Sequence, residues 1–223
     1  MTKLLQAIFF DLDGTLLHTA PDLIYALNQV LHQHQRDMIP FQKSDELDYT
    51  GSDSILSTGF GIDIHHPDFP VIKEKFIRIY QQHSTERTHF FPGMSTLLDH
   101  LDQQAIPWGV ITNKPEFLTI PLMHHFKLHD RSRCIIAGDT LTHHKPHPEP
   151  LLHACKMTQT LPEHAWYVGD AYTDIVAAKA AGLNSIAVTY GYHDKNNPPK
   201  NWQADYVFHH AMEILLLVKR FSK

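Results

Sequence analysis

Ala7-Ile8-Phe9-Phe10-Asp11-Leu12-Asp13-Gly14-Thr15 opens as an unbroken apolar run and stops at two aspartates followed by a glycine. Residues 5–10 therefore read as a strand buried on both faces, closed by a turn-forming segment. Three further short apolar runs repeat the pattern at 108–112, 134–137 and 165–169, and 185–188 is a fifth. Helical patterns lie between them, as at 148–157 and 174–181. Such βαβ alternation predicts a Rossmann-like α/β core, a parallel sheet covered by helices on both faces. In that architecture ligands sit at the carboxyl ends of the strands, so the polar residues that end each strand carry the function.

Between the first strand and Phe91-Pro92-Gly93 the alternation stops. Residues 22–32, 44–57 and 71–83 have helical periodicity throughout. The expected organisation is a catalytic core of residues 1–16 and 91–223, with an all-helical unit of residues 17–90 inserted after the first strand. Its position, directly after the polar turn, suits a lid, with Pro92 and Gly93 marking the return.

Composition narrows the class. The 223 residues are 43% hydrophobic and 19% charged, which excludes a disordered or low-complexity chain. A net charge of −5 gives no basic excess for a nucleic-acid backbone or an anionic membrane. Cys134 and Cys155 have no CxxC spacing and read as reduced structural thiols. The first apolar run is followed by Asp11 and no small-residue cleavage site, and the apolar stretch at 214–218 is far too short to span a bilayer. The expectation is a cytoplasmic protein; the sequence sets no oligomeric state. Histidine is unusual: 19 residues, as many as Lys and Arg together, including adjacent pairs at 65–66, 124–125, 143–144 and 209–210 without a common ligand spacing. These read as surface histidines.

The strand ends hold the chemistry. Asp11 and Asp13 are one residue apart just past a strand, so in extended chain both carboxylates project to one side, although Asp-Gly alone also suits a turn. The second strand ends in Thr112-Asn113-Lys114, whose hydroxyl and amide suit phosphoryl oxygens. Lys145-Pro146 follows the third, and Gly169-Asp170 with Asp174 follows the fourth. A parallel sheet brings these four ends to one crevice. Carboxylate oxygens there suit Mg²⁺, and a metal, a Lys and a Thr together suit the charged oxygens of a transferring phosphoryl group.

Phe9-Phe10-Asp11-Leu12-Asp13-Gly14-Thr15-Leu16, Val110-Ile111-Thr112-Asn113-Lys114-Pro115, Lys145-Pro146-His147-Pro148 and Val168-Gly169-Asp170 through Asp174 resemble the four motifs of the haloacid dehalogenase-like phosphatases. Within that superfamily the chain is most similar to the phosphoglycolate phosphatases and the N-acetylmuramic acid 6-phosphate phosphatases, through Thr19-Ala20-Pro21-Asp22, Thr112-Asn113-Lys114-Pro115 and Tyr190-Gly191-Tyr192. The resemblance implies that Asp11 attacks phosphorus while Asp13 acts as general acid and then base. It implies Mg²⁺ on the Asp11 and Asp170 carboxylates and the Asp13 carbonyl, with Asp174 as a ligand or an orienter of metal-bound water. Thr112 and Asn113 would take the phosphate, and Lys145 would offset its charge.

The implied activity is hydrolysis of a small phosphorylated metabolite, 2-phosphoglycolate or N-acetylmuramic acid 6-phosphate. Tyr190-Gly191-Tyr192 with Pro198, Trp202, Ala204 and Asp205 leans toward the second. A phosphosugar mutase of the same superfamily shares every motif, and a non-catalytic receiver-like module assembles similar residues, so both alternatives stay open. Thr50-Gly51-Ser52-Asp53 is a candidate specificity loop in the helical unit. Because it lacks the basic residue that relatives carry there, Arg78 or Arg87 is the substitute for binding a substrate carboxylate.

Overall fold

The computed structural model describes residues 5–40, 47, 49, 51–194 and 196–221. The chain divides into two compact units, one of Met1–Leu17 with Phe90–Lys223 and the other of His18–His89.

The larger unit is built on six parallel strands: β1 (Ala7–Phe10), β4 (Trp108–Ile111), β5 (Ile135–Ile136), β6 (Ala165–Gly169), β7 (Asn184–Val188) and β8 (Tyr206–Phe208). Their order is β5-β4-β1-β6-β7-β8. β1 is central, with Phe9 in register with Gly109 on one side and Tyr167 on the other. The connections run outward from β1 first toward β5 and then toward β8, so the order reverses beside β1, where α/β sheets leave a crevice.

Successive residues of these strands bury into opposite layers, which is why the strands are apolar without alternation. Ile8, Phe10, Val110 and Val168 pack with Leu97 and Leu101 of α4 (Met94–Gln103) and with Ile214 and Val218 of α8 (Ala211–Phe221). Ala7, Phe9 and Tyr167 face the other way, onto Leu151 and Ala154 of α6 (Glu149–Met157) and Ala177, Ala178 and Ala181 of α7 (Tyr172–Ala181). The small side chains of α7 let that helix lie close to the sheet. Between β4 and β5 runs α5 (Glu116–His125).

The helical unit contains α1 (Ala20–Gln33), α2 (Ser52–Phe60) and α3 (Phe69–His83). Pro21 and Pro70 stand in the first turns of α1 and α3, where a missing N–H costs nothing. Leu27, Leu31, Leu56, Phe76 and Tyr80 are buried. A Cβ on Gly59 would press into the Leu27 side chain, so α2 approaches α1 closely at that residue. Buried Asp22 closes the unit: its carboxylate accepts the Arg87 N–H at 3.1 Å and the Thr88 N–H and hydroxyl at 2.8 Å each. Two short strands, β2 (Leu17–His18) and β3 (His89–Phe90), pair where the chain passes from one unit to the other.

Several expected elements differ in detail. The helix expected over 44–57 is α2, which begins only at Ser52; residues 44–46, 48 and 50 lie outside the described residues. Gly51 is extended and cannot continue a helix toward its N-terminus. β8 was not expected, because three half-buried residues give too short a signal. The apolar stretch at 214–218 lies in α8, where Ile214, Leu215 and Val218 are buried and Leu216 is exposed. Among the described residues no helix is long and apolar enough to cross a membrane.

Candidate active site

Asp11 is the first residue past β1, and its N–H still donates to Val168 O at 2.9 Å, so its position is tied to the sheet. Thr112 follows β4 in the same way, donating to Ile136 O at 2.9 Å. Asp170 follows β6, and Asp174 lies in the first turn of α7, where its Oδ2 accepts the Ala171 N–H at 3.0 Å and satisfies an otherwise orphaned helix donor. Gly14 has φ +79°, a conformation that strains any side chain, and a Cβ there would collide with the Asp170 carboxylate. Gly191 meets Asp170 from the other side, and its missing Cβ leaves room for the Gly14 carbonyl.

Lys145 joins the strand ends. It is 3% exposed, and its three Nζ hydrogens are shared among four acceptors, Asp11 Oδ1 at 2.8 Å, Asp174 Oδ1 at 2.7 Å, Tyr167 Oη at 2.7 Å and Ile111 O at 2.9 Å. The Tyr167 hydroxyl donates to Ile111 O at 2.8 Å. Asn113 fixes the main chain on which Lys145 stands: its Nδ2 donates to Lys145 O at 2.8 Å, and its Oδ1 accepts the Lys145 N–H at 3.0 Å. Asp170 accepts the Thr15 hydroxyl at 2.8 Å and the Tyr192 N–H at 2.6 Å.

Asp11, Asp170 and Asp174 are all buried, and each offers a carboxylate oxygen within 4.8 Å of the other two. With all three carboxylates ionised, the single Lys145 ammonium leaves two negative charges in excess. Burial pushes Asp11 up to about 7 despite the opposing pull of Lys145, with Asp174 adding to the rise. Burial, then Asp11 and Asp174, raise Asp170 well above the usual carboxylate range, against the hydrogen bonds from Tyr192 and Thr15. Burial disfavours the charge on Lys145, yet Asp11 and Asp174 outweigh it and hold the amine above its ordinary value. Burial and then Asp174 raise Tyr167 well beyond a normal phenol, so it stays protonated and can donate. Oxygen-only ligands with a charge deficit of two fit a hard divalent cation.

The structure thus brings together Asp11, Lys145, Asp170 and Asp174. Asp13 is not one of the clustered carboxylates; it is partly exposed, pairs with Lys114 Nζ at 3.1 Å and adds to the rise of Asp11. The Asn113 side chain was expected at the phosphate; its Oδ1 and one Nδ2 N–H instead bond the Lys145 main chain. Its main-chain N–H has no partner among the described residues. Lys114 and Tyr167 had been given no role. Lys114 stood in a motif already singled out, whereas nothing in a strand sequence marks Tyr167 except a hydroxyl in an apolar run. In the helical unit, Thr50 lies outside the described residues and Asp53 pairs with Lys73 at 2.6 Å. Arg87 lies over the Tyr25 ring at 4.1 Å and pairs with Glu86 at 3.0 Å and Asp22 at 3.4 Å. Its guanidinium is committed within that unit, and Arg78 is exposed.

The chain is similar to known proteins over most of its length. The family model for haloacid dehalogenase-like hydrolases matches residues 8–188. The N-acetylmuramic acid 6-phosphate phosphatase of Pseudomonas aeruginosa is 32% identical over 216 residues, 97% of this chain and 96% of that protein. The phosphoglycolate phosphatase of Xanthomonas campestris pv. campestris is 34% identical over 203 residues, 90% of each. The crystal structure of a predicted phosphoglycolate phosphatase from Haemophilus somnus superimposes with a TM-score of 0.83 at 26% identity, covering 96% of this chain and 97% of the other. With the central strand, its two aspartates, the buried lysine and the distal carboxylates all inside the matched span, the chain belongs to the haloacid dehalogenase-like hydrolases.

Proposed function

We propose that this hydrolase cleaves a small phosphomonoester, 2-phosphoglycolate or N-acetylmuramic acid 6-phosphate, through a phosphoryl-aspartate formed on Asp11. The observation that carries the reading is the buried Asp11 carboxylate held by Lys145 beside two further carboxylates, with a second acid, Asp13, two residues away and outside that group. In the first step an Asp11 oxygen attacks phosphorus and the ester P–O bond breaks, while Asp13 gives its proton to the departing alcohol oxygen. In the second step Asp13 takes a proton from water, whose oxygen attacks the same phosphorus; the P–O bond to Asp11 breaks, and phosphate leaves. Two acids in unlike settings suit this division of labour.

Lys145, the Thr112 hydroxyl and the free Asn113 main-chain N–H would hold the phosphoryl oxygens. Asn113 then acts twice, once through its backbone and once by positioning Lys145. Lys114 orients Asp13. Asp11, Asp170 and the Asp13 carbonyl would hold Mg²⁺, with Asp174 completing or orienting the set. The ion would supply the missing positive charge and draw electron density from the phosphoryl group. The helical unit leaves the chain directly after the Asp11 turn, an insertion point that suits a cap over the substrate.

The two named relatives are about equally similar to this chain, so likeness does not choose between their substrates. Phosphate release with Mg²⁺ from a panel of 2-phosphoglycolate, N-acetylmuramic acid 6-phosphate, other sugar phosphates and nucleotides makes that choice. Turnover of one substrate that vanishes in Asp11→Asn is the expected result. Turnover that persists in a folded Asp11→Asn protein would overturn the assignment of the nucleophile, and release from no member of the panel would favour the mutase or regulatory alternative.

A further inference from the structure

A second group of metal-type ligands lies outside the carboxylate centre. His143, His147 and Glu149 each offer one ligand atom, and these atoms all lie within 4.8 Å of one another. The two imidazoles stack with centroids 4.1 Å apart and planes 21° from parallel. Glu149 Oε2 accepts the His143 main-chain N–H at 3.0 Å and stands 2.8 Å from His143 Nδ1. The Glu149 main-chain N–H donates to His147 Nδ1 at 3.2 Å. The three residues line a shallow hollow of about 390 Å³ that also takes in His153, one helical turn beyond Glu149.

We propose that His143, His147 and Glu149 form a binding site for a divalent transition-metal ion of the zinc class, on the segment that supplies Lys145. Two imidazoles and one carboxylate suit such an ion, whereas the all-carboxylate centre suits magnesium, so the two sites select by chemistry. Bond lengths of ~2.0–2.2 Å put the ligand atoms of a tetrahedral site roughly 3.4 Å apart, so closing the present spacing takes about an ångström of side-chain movement. That movement is available, because the His143 and Glu149 side chains are 55% and 37% exposed. The ion replaces the His143–Glu149 contact and the Glu149 N–H bond to His147. Both lie at the surface, where such contacts are weak. Water or His153 fills the fourth position.

The molecule supplies its own control. His124 and His129 stack with the same 4.1 Å separation and 21° tilt, but they belong to no trio of closely spaced ligand atoms among the described residues. The test is titration of the purified chain with Zn²⁺ against a chromophoric chelator, in excess Mg²⁺ so that the carboxylate centre is already served. His143→Ala/His147→Ala is expected to hold one tight equivalent fewer than the wild type. Glu149→Gln is expected to bind that equivalent at least about tenfold more weakly, and His124→Ala/His129→Ala is expected to match the wild type. No tight equivalent in the wild type, full retention in His143→Ala/His147→Ala, or equal loss in the His124→Ala/His129→Ala control would overturn the proposal. All the substituted histidines but His129 are exposed and His129 is half-buried, so an unchanged urea midpoint is expected to accompany each result.

Discussion

Replacing Lys145 with Met keeps an unbranched side chain one heavy atom shorter and removes its charge, which makes it the sharpest test of how the site is held. The Lys145 Nζ touches two carboxylate oxygens, a phenol and a carbonyl, all within 2.9 Å, in a setting 3% exposed. Removing one partner of a buried ion pair costs about 3–5 kcal/mol, because it strands the other charge out of water. Here two carboxylates are stranded at once, beside a third. Against a usual domain stability of ~5–15 kcal/mol, a loss of that size moves a urea midpoint far outside error.

The structure further predicts that the loss is not intrinsic to the missing methylenes. On the proposed function, Mg²⁺ would supply positive charge to the same three carboxylates only in the folded state, so saturating Mg²⁺ should return part of the lost stability. Adding Asp174→Asn to Lys145→Met should also recover some of it, since one stranded charge is gone, and the double variant should be less destabilised than the two single changes added together. Turnover in Lys145→Met should fall by at least about 10²-fold, the scale seen when one preorganised donor to a developing negative charge is lost. The assays are urea unfolding with and without Mg²⁺, and phosphate release on the best substrate. A stability change below about 1 kcal/mol together with less than tenfold loss of turnover would refute the reasoning.

Other perturbations follow from the same geometry. Asn113→Ala removes both side-chain bonds to the Lys145 main chain; a loss of about 1–3 kcal/mol and a fall in kcat are expected, and wild-type kinetics would show that Lys145 needs no such brace. Asp22→Asn puts an amide N–H₂ against the donors of Arg87 and Thr88, and unfolding free energy should drop by about 1–3 kcal/mol; a change under about 0.5 kcal/mol would contradict the role given to Asp22. Burial pushes the thiols of Cys134 and Cys155 up to about 12 and about 11, so at pH 8 only about one Cys155 in a thousand is thiolate. Iodoacetamide should leave both unmodified in the native protein and modify both in urea, as read by mass spectrometry; fast native modification would refute this.

Much of the site was legible because its residues sit at the ends of short apolar strands. Asp11, Thr112 and Asp170 each follow a run that a parallel sheet must bury, and the turn chemistry of Asp-x-Asp-Gly marks the first end unmistakably. Lys145 was flagged by the motif around it rather than by periodicity. Asn113 was read as a phosphate ligand because an amide beside a threonine suits one; that both ends of its side chain bond the Lys145 main chain depends on where the β5–α6 segment returns. Tyr167 gave no signal, since its hydroxyl matters only when β6 lies beside β1. The adjacent histidine pairs are exposed, as the sequence suggested. The ring stack is instead between His143 and His147, four residues apart across the turn, which adjacency in sequence does not reveal.

The sequence by itself determined most of the core strands and their polar ends, though not β8 or the start of α2, because strand and helix periods and apolar runs are decided within a few residues. It could not determine the strand order. Placing β1 between β4 and β6 is what lets Lys145 reach Asp11 across 134 residues and Asp174 across 29. Only the packed sheet excludes water from that meeting. Exclusion of water turns three ordinary aspartates and a lysine into a tightly coupled group, since charges that solvent would screen in an open chain act on one another strongly once buried.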